Sequence, residues 1–384
     1  MTKSMFACSF RRGPKSAAAV KIPLCRMGQT DMYRKRFTFD PKQIERARLV
    51  TLRSPNLNVL SEENRSKLPG LAHFLEQGFK ARDADGKLLL PNLSALANRT
   101  VGIFSDYGGE DQSSHFFTYS FMVCAFGSLD PFKQKMASLR AKSGLGKKEI
   151  AFKDFRYGPL RRMLPDYLRL CDSYINGLLF TLVIDKTIPS LFGPNEAEPI
   201  RHIADALDQN GYGTIAPQAG EKLFRILHCI AYLLALLGQP GQKIFWMTDH
   251  DAIGETPEKH TKLLEVLYRV LPLYTTKPFS RLGGARPFTP KAFEFLDLLS
   301  TADIAAGTIA QVLTSMETLG EDKAQIKEGG DKVLRWLCYD SMTLKKLALI
   351  VRRMPNGEVG CGPIDFEAKT HGENEIFIPM ELFR

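Results

Sequence analysis

The chain has 384 residues, 44% of them hydrophobic and 24% charged, which is enough apolar content for a sizeable core and suggests one enlarged domain with appendages or two domains. Its formal net charge is +10, and residues 1–60 hold thirteen Lys or Arg against three acids, so the whole excess lies there and the rest of the chain is balanced. The seven cysteines are dispersed with no Cys-x-x-Cys pair, which excludes a disulfide framework and a zinc site and points to a reducing, cytoplasmic setting.

Residues 1–98 read as a basic amino-terminal extension. Arg11, Arg12, Lys15, Arg34, Lys35 and Arg36 stand beside Phe6, Phe10, Tyr33 and Phe37, a pattern suited to following a phosphate backbone without reading sequence. A solubilising tail is one alternative. An organelle-targeting presequence is another, because the first acid is Asp31 and Arg, Ser and Ala are common before it. Residues 1–30 contain no long apolar run of the secretory kind. A stretch punctuated by Pro and Asn follows, from Ser54 to Asn98.

The expected core, residues 99–318, opens with Thr100-Val-Gly-Ile-Phe-Ser-Asp106, a short apolar run that ends in Asp-Tyr-Gly-Gly and predicts a buried strand and a turn. His115 to Phe126 is aromatic and β-branched, as an antiparallel partner would be. After the flexible Ser143-Gly-Leu-Gly-Lys-Lys148 comes Glu149-Ile-Ala-Phe-Lys153, whose two charged ends are candidates for one site. Leu178 to Asp185 predicts a third strand with an acidic end. Residues 186–220 form an insertion rich in Pro, Gly and Asn, a candidate substrate-side element because long loops in compact domains are often binding elements. Ile226 to Leu237 is the longest apolar stretch. It is shorter than the ~20 residues of a membrane span and contains His228, so it predicts a core helix and no membrane segment.

Lys243-Ile-Phe-Trp-Met-Thr-Asp249-His-Asp251 repeats the first pattern: an apolar strand that turns acidic at its end. A strand buried on both faces has no use for a carboxylate unless the charge is paired or metal-bound. Leu298 to Leu313 predicts a helix in which Asp303 is the single charge among small and apolar residues, so its face is not ordinary solvated surface. Residues 319–384 are expected to form a carboxy-terminal helix, from about 331 to 353 with Lys345, Lys346, Arg352 and Arg353 on a basic edge, and an extended tail.

Each acid has a plain structural alternative. A lone Asp at a strand end commonly serves a turn or cap, and Glu149 beside Lys147 and Lys148 suits exposed surface. Three acids that each break an apolar run weigh against that for the set. Asp185 and Asp251 are reserve candidates. His115 and His250 neighbour the acidic strand ends, where they either orient a water or serve as structural histidines. The chain has no P-loop, no dinucleotide fingerprint, no Gly-x-Ser-x-Gly and no His-Glu-x-x-His.

Ser105-Asp-Tyr-Gly-Gly109, Glu149-Ile-Ala-Phe-Lys153, Val183-Ile-Asp-Lys186, Trp246-Met-Thr-Asp249 and Ser300-Thr-Ala-Asp-Ile-Ala-Ala-Gly307 follow one another in an order that resembles a widespread RNase H-like family catalogued as a domain of unknown function. Members carry an Asp-Glu-Ser-Gly-like first turn and a Leu-Ala-Asp-x-x-Ala-Gly helix. The likeness covers about residues 99–316. Tyr107 replaces the second acid of the first turn.

The resemblance implies an α/β fold, a mixed RNase H-like sheet flanked by helices, and a nuclease-like site. In it Asp106, Glu149, Asp249 and Asp303 bind two Mg²⁺ or Mn²⁺ ions, Lys153 stabilises charge on the phosphate, and metal-dependent hydrolysis of nucleic-acid phosphodiesters follows. The alternative is a catalytically inactive nucleic-acid-binding or scaffold protein on the same fold.

Overall fold

The computed structural model describes residues 15–16, 20–24, 41–192, 198–209, 211–250, 253–289 and 293–368. Its centre is a mixed sheet. The strands are β1 (Lys15–Ser16), β2 (Val20–Leu24), β3 (Thr100–Gly108), β4 (Phe116–Ala125), β5 (Gly177–Asp185), β6 (Lys243–Thr248), β7 (Arg281–Gly284), β8 (Leu344–Arg353) and β9 (Val359–Ala368). They lie in the order β1-β9-β8-β5-β4-β3-β6-β7, with β2 also paired to β9. On one side of β3 the run β3-β4-β5 is antiparallel; on the other, β6 and β7 run parallel to it.

Strands buried on both faces explain the continuous apolar runs, because helices cover each side of the sheet. Alternate residues separate the two layers. Val101 and Ile103 face a core shared with the Gly70–Ala84, Pro217–Leu237 and Pro257–Val270 helices. Phe104 faces the other layer, built from the Asp130–Ser143, Gly158–Tyr174, Leu296–Leu319 and Gly330–Leu337 helices. The apolar run around Ile226–Leu237 is therefore a core helix, as its sequence predicts. Leu296–Leu319 has the length and apolarity of a membrane span, yet 83% of its most apolar window is buried in the fold. The five described cysteines are free thiols, four of them buried.

Three expectations change. The helix expected over 331–353 stops at Leu337, and Leu344–Arg353 is strand β8, paired parallel to β5. Its Leu, Ile and Val content suits a sheet interior better than a helix with one wet edge. The expected basic edge is spent internally. Lys345 is 1% exposed, donates to the carbonyls of Ser341 and Met342, and is pushed by burial to a pKa of about 8. Lys346 pairs with Asp172 at 3.0 Å. The expected divisions near 98 and 318 cut through packed structure, since Leu71, Leu75 and Phe79 of the Gly70–Ala84 helix belong to the core and β8 and β9 extend the same sheet. In the 186–220 insertion, Glu198–Gln209 is helical, and Ile203, Leu207 and Tyr212 pack into the Val101/Ile103 layer.

The Leu296–Leu319 helix lies close to the sheet because its facing residues are small. The Thr118 hydroxyl donates to the Ala306 carbonyl at 3.2 Å, and a Cβ on Gly307 would stand 2.4 Å from Cδ1 of Phe152. Overpacking at such a contact costs about 1–3 kcal/mol, more than the few tenths that valine gains over glycine in helix propensity. Gly307→Val is therefore expected to lower the unfolding free energy by about 1–3 kcal/mol, read in urea unfolding as a lower midpoint at an unchanged m-value.

Candidate active site

The β3–β6 pairing puts Ser105 opposite Thr248, and the Asp249 amide extends the ladder by donating to the Ser105 carbonyl at 3.0 Å. Strand alternation then sorts the side chains. Ser105, Tyr107 and Thr248 turn to one face, where the Tyr107 hydroxyl lies 2.8 Å from both Ser105 Oγ and Thr248 Oγ1, and Trp246 Nε1 donates to Ser105 Oγ at 2.9 Å. Asp106 and Asp249 emerge side by side on the other face. Tyr107 thus belongs to a polar network behind the strands, and its replacement of an acid removes no carboxylate from the site.

Asp106 and Asp249 line a cleft of about 440 Å³ together with Glu149, Ala151, Lys153, His250, Asp303 and the segment 286–289. All five residues that the sequence singles out for catalysis meet here. Asp303 arrives on the closely packed helix, where its Oδ2 accepts the Phe152 amide at 2.7 Å. That bond ties the helix to the segment bearing Glu149 and Lys153. Two cations hold the segment from behind. Lys327 Nζ donates to the carbonyls of Phe152 and Lys153 at 3.1 and 2.8 Å. Arg140 donates to the carbonyls of Gly146 and Lys148 and, through Nε at 3.1 Å, to both carboxylate oxygens of buried Asp297.

Gathering acids in a partly enclosed cleft raises their proton affinity. Burial first, then the neighbouring Asp303 and Asp249 charges, push the Asp106 carboxyl well above its usual range, against the pull of the Tyr107 amide at 2.6 Å. Burial also lifts Asp303 to about 7; the Phe152 amide opposes this, while Glu149 and Asp249 reinforce it. Glu149 is raised chiefly by burial, with Lys153 opposing. An all-carboxylate donor set is the kind that hard divalent ions such as Mg²⁺ and Mn²⁺ take. Among the described residues, however, no group of three or more His, Cys, Asp or Glu side chains is already arranged to hold an ion.

Other candidates fall elsewhere. Asp185 closes the turn after β5, its Oδ1 accepting the Thr187 amide and hydroxyl at 2.8 and 2.7 Å. His115 pairs with Glu317 at 2.8 Å, and no described residue of the 186–220 insertion lines the cleft. His250 does line it. Arg11, Arg12, Arg34, Lys35, Arg36 and Asp251 lie outside the described residues. Sequence patterning gives no sign of Arg286, Pro287, Phe288 and Thr289. They follow β7, whose four residues Arg-Leu-Gly-Gly are too few and too glycine-rich to register as a strand. No protein-family model matches this chain, and no curated protein matches it.

The raised Asp303 pKa fixes the sign of a pH effect. A carboxyl that binds its proton more tightly when folded stabilises the fold below its ordinary pKa of 3.8, and that contribution is lost as pH rises through about 7. In EDTA, the unfolding free energy is expected to fall across this interval by at most about 1.4 kcal/mol per pH unit for each proton held, and the melting temperature to fall with it. Asp303→Asn should flatten the slope in a calorimetric pH series; an unchanged slope refutes the assignment.

Proposed function

We propose that this chain is a metal-dependent nuclease that hydrolyses nucleic-acid phosphodiester bonds at a carboxylate-bound two-metal site, and that it belongs to the RNase H-like family it resembles. The observation that carries the proposal is the convergence on one cleft of Asp106 from β3, Asp249 from the end of β6, Asp303 from a helix and Glu149 from a loop, with Lys153 beside them. The five-strand run β5-β4-β3-β6-β7, antiparallel on one side of β3 and parallel on the other, supports an RNase H-like assignment of the sheet.

Asp106, Asp249, Asp303 and Glu149 would hold Mg²⁺ or Mn²⁺. Such ions supply Lewis-acid polarisation of the phosphoryl group and a deprotonated water. The protein's own groups do the rest. The raised proton affinities of Asp106 and Asp303 mean that ion binding competes with protons and tightens as pH rises. Lys153, exposed at the cleft wall, is placed to offset charge developing on the phosphate. Lys327 and Arg140, by holding the 146–153 backbone, keep Glu149 and Lys153 at the wall.

A second reading has one observation in its favour. Because no ligating group stands preformed among the described residues, the same cleft suits a nucleic-acid-binding or scaffold protein that keeps the fold without the chemistry. One experiment separates the two: labelled single-stranded, duplex and hybrid RNA and DNA are incubated with the wild type and an Asp106→Asn, Asp249→Asn double variant in Mg²⁺, Mn²⁺ or EDTA. The nuclease predicts metal-dependent cleavage by the wild type and a loss of roughly a thousandfold or more in the variant, since a two-ion site contributes several kcal/mol to the transition state. Salt-sensitive binding by both proteins with no cleavage in any metal establishes the second reading instead.

A further inference from the structure

The turn 286–289 lines the cleft together with the carboxylates, and its residues are unlike those that close an ordinary surface loop. Phe288 is 53% exposed, has a φ of +59° and packs into none of the three hydrophobic clusters of described residues. An L residue with a bulky side chain is disfavoured in that left-handed region, and leaving an aromatic ring in water forgoes the burial that usually compensates. Local backbone strain that packing does not explain concentrates at ligand sites. Among the described residues, Phe288 is the one exposed large apolar side chain that lines the cleft.

Arg286 stands two residues away on the same wall. Its guanidinium forms no hydrogen bond or ion pair among the described residues, and its buried Nε is without a partner. Four carboxylates line the same cleft, yet Arg286 pairs with none of them. Buried Pro287 separates the two residues, and the Thr289 hydroxyl donates to the Arg286 carbonyl at 3.3 Å, which closes the turn.

We propose that Arg286 and Phe288 form a recognition wall for single-stranded nucleic acid, Arg286 taking a backbone phosphate and Phe288 stacking an unpaired base next to the carboxylate site. A planar donor fork matches a phosphate, and an exposed ring offers a face to any base. Stacking selects for single strands, because bases inside a duplex have no free face. The inference rests on the nucleic-acid reading of the cleft and specifies its substrate class.

The test measures fluorescence anisotropy of the full chain, in the Asp106→Asn, Asp249→Asn background with Mg²⁺ to prevent cutting. The probes are labelled oligothymidylate, the same strand annealed to its complement, and the same strand with abasic sites. Phe288→Ala is expected to weaken single-strand binding by roughly ten- to a hundredfold, the worth of one stacked base, and to leave duplex and abasic binding unchanged. Phe288→Trp should restore affinity. Phe288→Gly should lose affinity with no fall in melting temperature, because glycine accepts the left-handed backbone. Arg286→Ala should weaken all three probes and lower the salt dependence, and Tyr268→Ala, exposed but away from the cleft, should change nothing.

Equal single-strand affinity in Phe288→Ala and its parent overturns the inference, as does an equal loss on the abasic strand. If the unsubstituted chain binds or cuts nucleic acid while Phe288 proves indifferent, this inference alone fails. If the unsubstituted chain neither binds nor cuts any of the three probes, the nucleic-acid reading of the cleft fails with it.

Discussion

The close approach of the Leu296–Leu319 helix to β3 and β4 is the constraint on which the candidate site depends. Ala305, Ala306 and Gly307 keep that face thin enough for the Ala306 carbonyl to accept from Thr118 on β4 and for Phe152 to lie against Gly307. Only at that distance does the Asp303 carboxylate reach the Phe152 amide and share a cleft with Asp106 and Asp249. A helix face with larger side chains would stand farther from the sheet, since interaxial distance follows side-chain size at the contact. The 149–153 segment would then lose its tie to the helix.

Buried acids elsewhere in the chain separate structural carboxylates from those in the cleft. Asp297 is gripped by Arg140, Glu221 by Arg225, Asp365 by Arg82 and Lys87, and Glu76 by Arg65 and Lys80. Each of these has a cation in contact, as burial of a charge demands. Asp106 and Asp303 instead receive a single backbone amide apiece and lie near other acids of the cleft, Asp303, Asp249 and Glu149 for the first, Glu149 and Asp249 for the second. Lys153 and Arg286 share their cleft without forming an ion pair with them among the described residues. Among the described residues, the other buried acids are paired with cations, whereas this group lacks such a partner and its carboxyls hold their protons more tightly instead.

Much of the sheet was legible because its strands are buried on both faces. Runs such as Thr100–Asp106 and Lys243–Asp249 are apolar until the residue that leaves the sheet, so the acids announced themselves as interruptions. Asp303 did the same on a helix. Period and composition failed where their signals are ambiguous. Leu344–Arg353 carries apolar and basic residues that suit a helix with a wet edge as well as a strand, and pairing with β5 decided between them. The 186–220 segment looked like a loop by its Pro and Gly content, yet Ile203, Leu207 and Tyr212 found a core on the far side of the sheet. Its loop-like composition said nothing about which face it would cover.

From the sequence by itself came the α/β alternation, the acids that break apolar runs, the pairing of Glu149 with Lys153 in one short segment, and the basic excess of residues 1–60. Those are local properties, set by periodicity and by the cost of burying a lone charge. Tertiary structure alone decided that Tyr107 turns away from the cleft, that β8 and β9 extend the sheet, and that Arg286 and Phe288 line the same cleft as the carboxylates. The reason is physical: strand register and helix distance are settled by contacts between residues far apart in the chain, and a four-residue edge strand such as β7 carries too little pattern to reveal what its following turn will face.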